Sequence, residues 1–184
     1  MKNLCVLGSL LTEEGKHIKT EMLDWLTKEY NVLCIDQEPP GKLFEYPAIY
    51  YTIKLAISEQ EPVLYVHTKG AAYPTHQCNL QNKIRKIWQN EFTINKDKYF
   101  GNYTGVITPY TGPNKETWFN AFVLYTDAAL ELRKTFHIDS NRFYYERMFC
   151  NTNIQVHGVL RDDLISFDNN DHITQYVKDY KLQL

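Results

Sequence analysis

A chain of 184 residues with 43% hydrophobic and 23% charged residues can bury one substantial core without disulfides or metals, and is too short for two independent domains of ordinary size. Its formal net charge of −2 gives no electrostatic case for nucleic acid, whose binders present a strongly basic patch. The 14 tyrosines and 9 phenylalanines are the compositional excess; most of them belong to a core, and some are candidates for stacking on a sugar or a base.

In chain order, Leu4-Cys5-Val6-Leu7-Gly8 reads as a short buried strand, and Ile18, Met22, Trp25, Leu26 and Tyr30 then recur at helical spacing. A second strand over 31–36 is broken by Pro39-Pro40-Gly41. Pro47 suits the first turn of a helix carrying Tyr46, Ile49, Tyr50, Ile53 and Ile57 on one side. The third strand, 62–67, ends in His67-Thr68-Lys69-Gly70. Strands alternating with amphipathic helices imply βαβ units and a mostly parallel, Rossmann-like α/β sheet with helices on both faces.

The second half has a different pattern. After a loop over 71–78, Leu80, Ile84, Ile87 and Trp88 mark a helix, with Lys83, Arg85 and Lys86 read as its solvated face. Strands are expected at 101–107 and 117–125, separated by the turn Thr111-Gly112-Pro113-Asn114. Asp127 is read as the cap of a helix that runs through Leu130 to Phe136. A short helix around Tyr144, Tyr145, Glu146 and Met148, a strand at 154–160, an acidic loop and a helix near 171–181 complete a mixed, aromatic-rich half. The whole reads as one domain in two parts, 1–78 and 79–184.

The four cysteines, Cys5, Cys34, Cys78 and Cys150, form no CxxC pair, and a reducing, cytoplasmic compartment is the simplest expectation. After Met1-Lys2-Asn3 only about seven residues are apolar, short of a secretory h-region or a membrane span. No transmembrane segment is expected, which leaves peripheral association with a membrane open.

In open α/β sheets ligands bind beyond the carboxyl ends of the strands, so His67, Thr68, Lys69 and Gly70 are placed to meet an anionic oxygen such as a phosphate; the competing reading is a polar turn after a capped strand. Gly8-Ser9 and Asp36 end the first two strands, where backbone N–H groups and a carboxylate suit a nucleoside; Asp36 reads equally as a turn cap. Neither a G-x-G-x-x-G nor a Walker A pattern is present. Glu146, in an aromatic helical segment beside Arg147, is the best single candidate for a general base. Trp118, Phe119 and Tyr125 suit stacking on a sugar, although alternation puts part of that run into the core. The acidic run from Asp162 to His172 offers oxygen ligands for Mg²⁺ or Mn²⁺, against the plainer reading of a solvated loop. His76 follows the Lys69 turn closely, and His157 reads as a structural histidine.

Taken in order, Val63 to Gly70, the Trp88 helix, Gly101-Asn102-Tyr103-Thr104-Gly105-Val106, Thr117 to Phe122 and Tyr145-Glu146-Arg147-Met148-Phe149 resemble small glycosyltransferase-like proteins of bacterial and viral polysaccharide genes. The resemblance covers residues 60–150, and H-T-K-G is its sharp motif. It implies a single GT-A-like domain of the nucleotide-diphospho-sugar transferase type, with a nucleotide-binding half over 1–78 and an acceptor-binding half over 79–184. On this resemblance Gly8, Ser9, Asp36, Thr68 and Gly70 hold a UDP- or GDP-linked sugar, while Asn102, Trp118 and Asn120 meet a glycan acceptor. The Asp-x-Asp metal motif typical of such enzymes is absent, and His67-Thr68-Lys69 stands about where it is expected; this departure points to positive side chains rather than a metal at the diphosphate, and leaves open both a divalent Mn²⁺ or Mg²⁺ and a degenerate, inactive relative.

The expectation is therefore a glycosyltransferase of polysaccharide biosynthesis, with His67 and Lys69 on the diphosphate and Glu146 deprotonating the acceptor. Its rivals are a non-catalytic nucleotide- or carbohydrate-binding domain of a larger assembly, and a nucleotidyltransferase that would release pyrophosphate.

Overall fold

The computed structural model describes residues 2–39, 43, 45–69, 71–72, 79–141, 143–161, 173, 175, 176 and 179. Gly70, His76, Cys78 and the acidic run 162–172 lie outside the described residues.

Among the described residues six strands form one sheet: β1 (Asn3–Leu10), β2 (Tyr30–Gln37), β3 (Val63–His67), β4 (Val106–Tyr110), β5 (Phe122–Leu124) and β6 (Val156–Arg161). Their order is β2-β1-β3-β5-β4-β6. β1 is parallel to β2 and β3, β4 is parallel to β6, and β5 alone runs against its neighbours β3 and β4. The sheet is thus mostly parallel, and both parts of the sequence contribute strands to it.

Side-chain alternation divides the core between the two faces of the sheet. Cys5, Leu7, Leu64, Val66 and Val123 pack on one face under α1 (Glu13–Glu29) and α3 (Asn79–Thr93). Val6, Val63, Tyr65, Phe122 and Leu124 pack on the other under α2 (Tyr46–Ser58), α4 (Thr126–Leu132) and α5 (Tyr144–Arg147). Each fully buried Leu, Ile or Phe in these layers contributes roughly 1.5–3 kcal/mol relative to exposure.

The helices begin where local chemistry allows. Thr12 caps α1 by accepting the Gly15 N–H at 2.9 Å, and Glu13 and Glu14 occupy the first turn, where the helix dipole favours them. Gly15 itself is dictated by contact: a Cβ there would lie 1.8 Å from the carbonyl oxygen of Leu10. Pro47 sits in the first turn of α2, where its missing N–H costs nothing.

Several expectations are corrected. Residues 101–105 are a loop, because Gly105 takes φ +84° and its Cα lies against the Gln155 carbonyl; a Cβ there would be 2.3 Å from that oxygen. Asp127 does not cap α4, which starts after Tyr125; its carboxylate instead accepts the Gly105 N–H at 3.0 and 3.1 Å. The 117–125 run is not one strand, since Phe119 (φ 63°) and Asn120 (φ 57°) turn left-handed before β5 begins. Arg85 is no solvated residue: it is 5% exposed, and its guanidinium donates to the Lys69 carbonyl and to Asn82.

The described residues near the C-terminus are helical and docked by polar bonds. Ile173 is fully buried, and the Tyr176 hydroxyl donates to Glu91 and receives a bond from Asn90 at 2.8 Å. Glu91 is fully buried, and Tyr99 and Asn95 also donate to its carboxylate, each at 2.7 Å, so the charge is solvated by protein.

Candidate functional site

From β1 the chain goes outward to β2, then returns across β1 to form β3 on its other side, so the β1/β3 boundary is a topological switch point. In open α/β sheets a crevice opens at the carboxyl ends of the strands at such a point. Gly8 is the register partner of His67 there, and a Cβ on Gly8 would come within 2.9 Å of Ala48 Cβ.

The loop after β3 is stitched to the end of β1. Thr68 N–H donates to the Gly8 carbonyl at 2.9 Å, Leu10 N–H donates to Thr68 Oγ1 at 3.1 Å, and Thr12 Oγ1 donates to the Ala71 carbonyl at 2.6 Å. Thr68 is therefore buried and shapes the loop. The guanidinium of Arg85 holds the same loop from α3 through the Lys69 carbonyl.

His67 is held from several sides. Its Nε2 lies 3.1 Å from the carbonyl oxygen of Phe119, and because a carbonyl only accepts, Nε2 carries the proton in this arrangement. Nδ1 then faces Glu45, 3.8 Å from Oε1. The ring lies parallel to Tyr65 and tilted against Trp88. Glu45 Oε2 accepts from the Tyr65 hydroxyl at 3.1 Å and from the Asn120 amide. Burial first, and the adjacent carboxylate second, push the Tyr65 phenol well above its ordinary pKa.

Glu45 has no sequence motif to reveal it. It stands at the N-cap of α2, but its carboxylate makes no capping bond and turns to β3 and the Phe119–Asn120 turn instead.

Lys69 and Glu146 form the charged centre. Lys69 Nζ is 3.8 Å from Glu146 Oε1, with side chains 15% and 16% exposed, and it also lies 5.4 Å from the centre of the Phe119 ring. At 3.8 Å the pair stands beyond hydrogen-bond distance. Thr117 fixes α5 to the turn, its N–H donating to the Glu146 carbonyl at 2.8 Å. Left-handed backbone at a non-glycine residue costs on the order of 1–2 kcal/mol, a strain most evident at Phe119, since asparagine tolerates that region better. His67, Glu45 and Thr117 keep this turn in place.

The remaining candidates fall into three places. Ser9 follows Gly8 and is 3% exposed, and its hydroxyl has no hydrogen-bond partner among the described residues. Asp36 lies level with Ser9 on β2 but is held by Lys19 Nζ at 2.8 and 2.6 Å through its two carboxylate oxygens. Trp118 packs half-buried beside the Phe119–Asn120 turn. Asn102 is brought nowhere near them: it is exposed and precedes Val106, which pairs with Leu124 and so lies level with Val63 at the opposite edge of the sheet from His67.

Among the described residues no group of three or more His, Cys, Asp or Glu side chains is placed to hold a metal ion, and no helix is long and apolar enough to cross a membrane. His157 is exposed on β6 and apart from the site. Comparison of the chain with models of protein families, with curated proteins and with solved structures gave no match.

Proposed function

We propose that the protein is a nucleotide-sugar-dependent glycosyltransferase with a GT-A-like domain, moving a sugar from a UDP- or GDP-linked donor to a glycan or lipid-linked acceptor in polysaccharide biosynthesis. The observation that carries this reading is the Lys69–Glu146 pair beside the β1/β3 switch point: an ammonium for a diphosphate and a carboxylate for a hydroxyl, 3.8 Å apart.

In this reading the nucleoside lies along the ends of β1 and β2, where the unpartnered Ser9 hydroxyl supplies a bond and Asp36 stands level with it. The donor's diphosphate draws Lys69 away from Glu146, and the carboxylate, released from its counter-charge, becomes a stronger base. Glu146 then takes the proton of the acceptor hydroxyl as that oxygen bonds to the anomeric carbon. The bond from this carbon to the phosphate oxygen breaks, and its electron pair leaves with the nucleoside diphosphate beside Lys69. This course inverts the anomeric centre. His67, whose Nε2 is committed to Phe119, acts chiefly by holding the turn that carries Phe119 and Asn120.

The test is consumption of UDP-, GDP- and CMP-sugars by the purified protein, read by mass spectrometry with and without oligosaccharide acceptors. One donor is expected to be consumed, and Glu146→Gln is expected to abolish turnover while nucleotide binding survives. Nucleotide binding without turnover in any mixture would favour the non-catalytic binding domain, and release of pyrophosphate would favour a nucleotidyltransferase.

A further inference from the structure

Between α2 and α4, on the face of the sheet that carries Tyr65, lies an open groove of about 370 Å³, within the size range of small-molecule sites. Its wall is a stack of rings: Tyr46 and Phe136 are 5.1 Å apart and 3° from parallel, and Tyr50 continues the stack 5.9 Å beyond Tyr46. Tyr50 is 42% exposed, so the stack ends in a ring open to a ligand. Ile53 lines the groove between them.

Lys54 stands over these rings, Arg133 also lines the groove, and among the described residues no carboxylate lines it. Lys54 Nζ lies 5.6 Å from the ring centres of both Tyr50 and Tyr51, and Arg133, just after α4, is the second cation of the lining. Among the described residues neither Lys54 nor Arg133 is paired with an acid, while nearby Glu131 is held by Lys134 at 2.5 Å and Glu59 receives the Ser58 hydroxyl. The groove starts at Tyr46, one residue after the Glu45 that braces His67.

We infer that this groove is the acceptor subsite and that it takes an acidic glycan. The aromatic stack receives sugar faces, and Lys54 and Arg133 receive the acid groups of the glycan. The inference rests on the transferase reading for the role of the ligand, and on the groove itself for its chemistry.

The test is binding of the full-length protein to an array of uronate-, sialate- and phosphate-bearing oligosaccharides with neutral and acidic-peptide controls. Acid-bearing sugars are expected to be retained about tenfold more tightly than neutral ones of equal length. Lys54→Gln with Arg133→Gln, and separately Tyr50→Ala, are expected to remove that preference while melting temperature and UDP binding stay unchanged. No retention of acidic sugars, retention indifferent to these substitutions, or equal retention of acidic peptides would each overturn the inference. Retention with no sugar transfer from any donor would remove the transferase reading and the acceptor role together, leaving an acidic-glycan site. Transfer whose acceptor KM ignores all three substitutions would remove the groove alone.

Discussion

Replacing Glu45 with alanine removes the acceptor that serves two buried donors at once, the Tyr65 hydroxyl and the Asn120 amide. Tyr65 and Asn120 are both fully buried, so neither donor regains bulk water, and a buried donor left unmade costs about 1–3 kcal/mol. The Glu45 side chain is 23% exposed, which lets solvent into part of the space it vacates and favours the lower part of that range for each donor. The expected loss for Glu45→Ala is therefore about 2–4 kcal/mol. Glutamine should behave differently. With its carbonyl oxygen in the place of Oε2, it keeps the acceptor that serves the Tyr65 hydroxyl and the Asn120 amide. Glu45→Gln should cost less than about 1 kcal/mol. Urea unfolding followed by circular dichroism measures both, on the condition that the slope with denaturant is unchanged. An alanine variant within about 0.5 kcal/mol of wild type, or a glutamine variant as damaged as alanine, would refute the network.

Gly15→Ala tests the start of α1: helix propensity alone predicts a gain of about 1 kcal/mol, but the 1.8 Å approach to the Leu10 carbonyl cannot be relieved by a side-chain rotation, so net destabilisation is expected. A melting temperature at or above wild type would show that the helix start can shift freely. Arg85→Met keeps a buried stem but removes the donor to the Lys69 carbonyl, and hydrogen exchange at the Ala71 amide, which bonds to Thr68, should quicken about tenfold; unchanged protection would mean the loop does not depend on Arg85. Burial raises the pKa of Tyr30, Tyr65, Tyr99 and Tyr110 above their ordinary 10.0. The folded state therefore holds protons that the unfolded chain releases. This contribution is complete below about pH 10 and is lost as pH rises towards the folded values, so urea midpoints should fall above pH 10. Midpoints that stay level to pH 11.5 would contradict the burial of these phenols.

The parallel front of the sheet was legible because its strands are apolar runs separated by amphipathic helices with a proline at the start of one. The second half was less legible for local reasons. Phe119 is aromatic and looks like a strand residue, yet its neighbours force it left-handed, and nothing in Trp118-Phe119-Asn120 announces that turn. Asp127 carries the signature of a helix cap but is used by Gly105, a partner 22 residues away. At the site, His67 and Lys69 were readable as polar residues at the end of an apolar run and Glu146 as a carboxylate in an aromatic helical segment, while Asn120, inside an expected strand, was singled out through the resemblance; the fold gathers them around one turn. Glu45 and Arg85 were not readable, because a glutamate after a proline-rich break and an arginine in a basic helix look like surface residues until tertiary contacts bury them. Asn102 was misplaced because a strand assigned by alternation does not reveal which edge of the sheet its ends occupy.

The decisive measurement is titration calorimetry of UDP and GDP, each beside its parent nucleoside, against wild type and Lys69→Met, which keeps an apolar stem over the Phe119 ring while removing the charge. One diphosphate should bind wild type more tightly than its nucleoside, and the substitution should weaken that diphosphate by about tenfold while leaving the nucleoside unchanged. Diphosphates bound no better than nucleosides, or a substitution that weakens both alike, would contradict a phosphate-binding role for Lys69 and with it the proposed transfer chemistry.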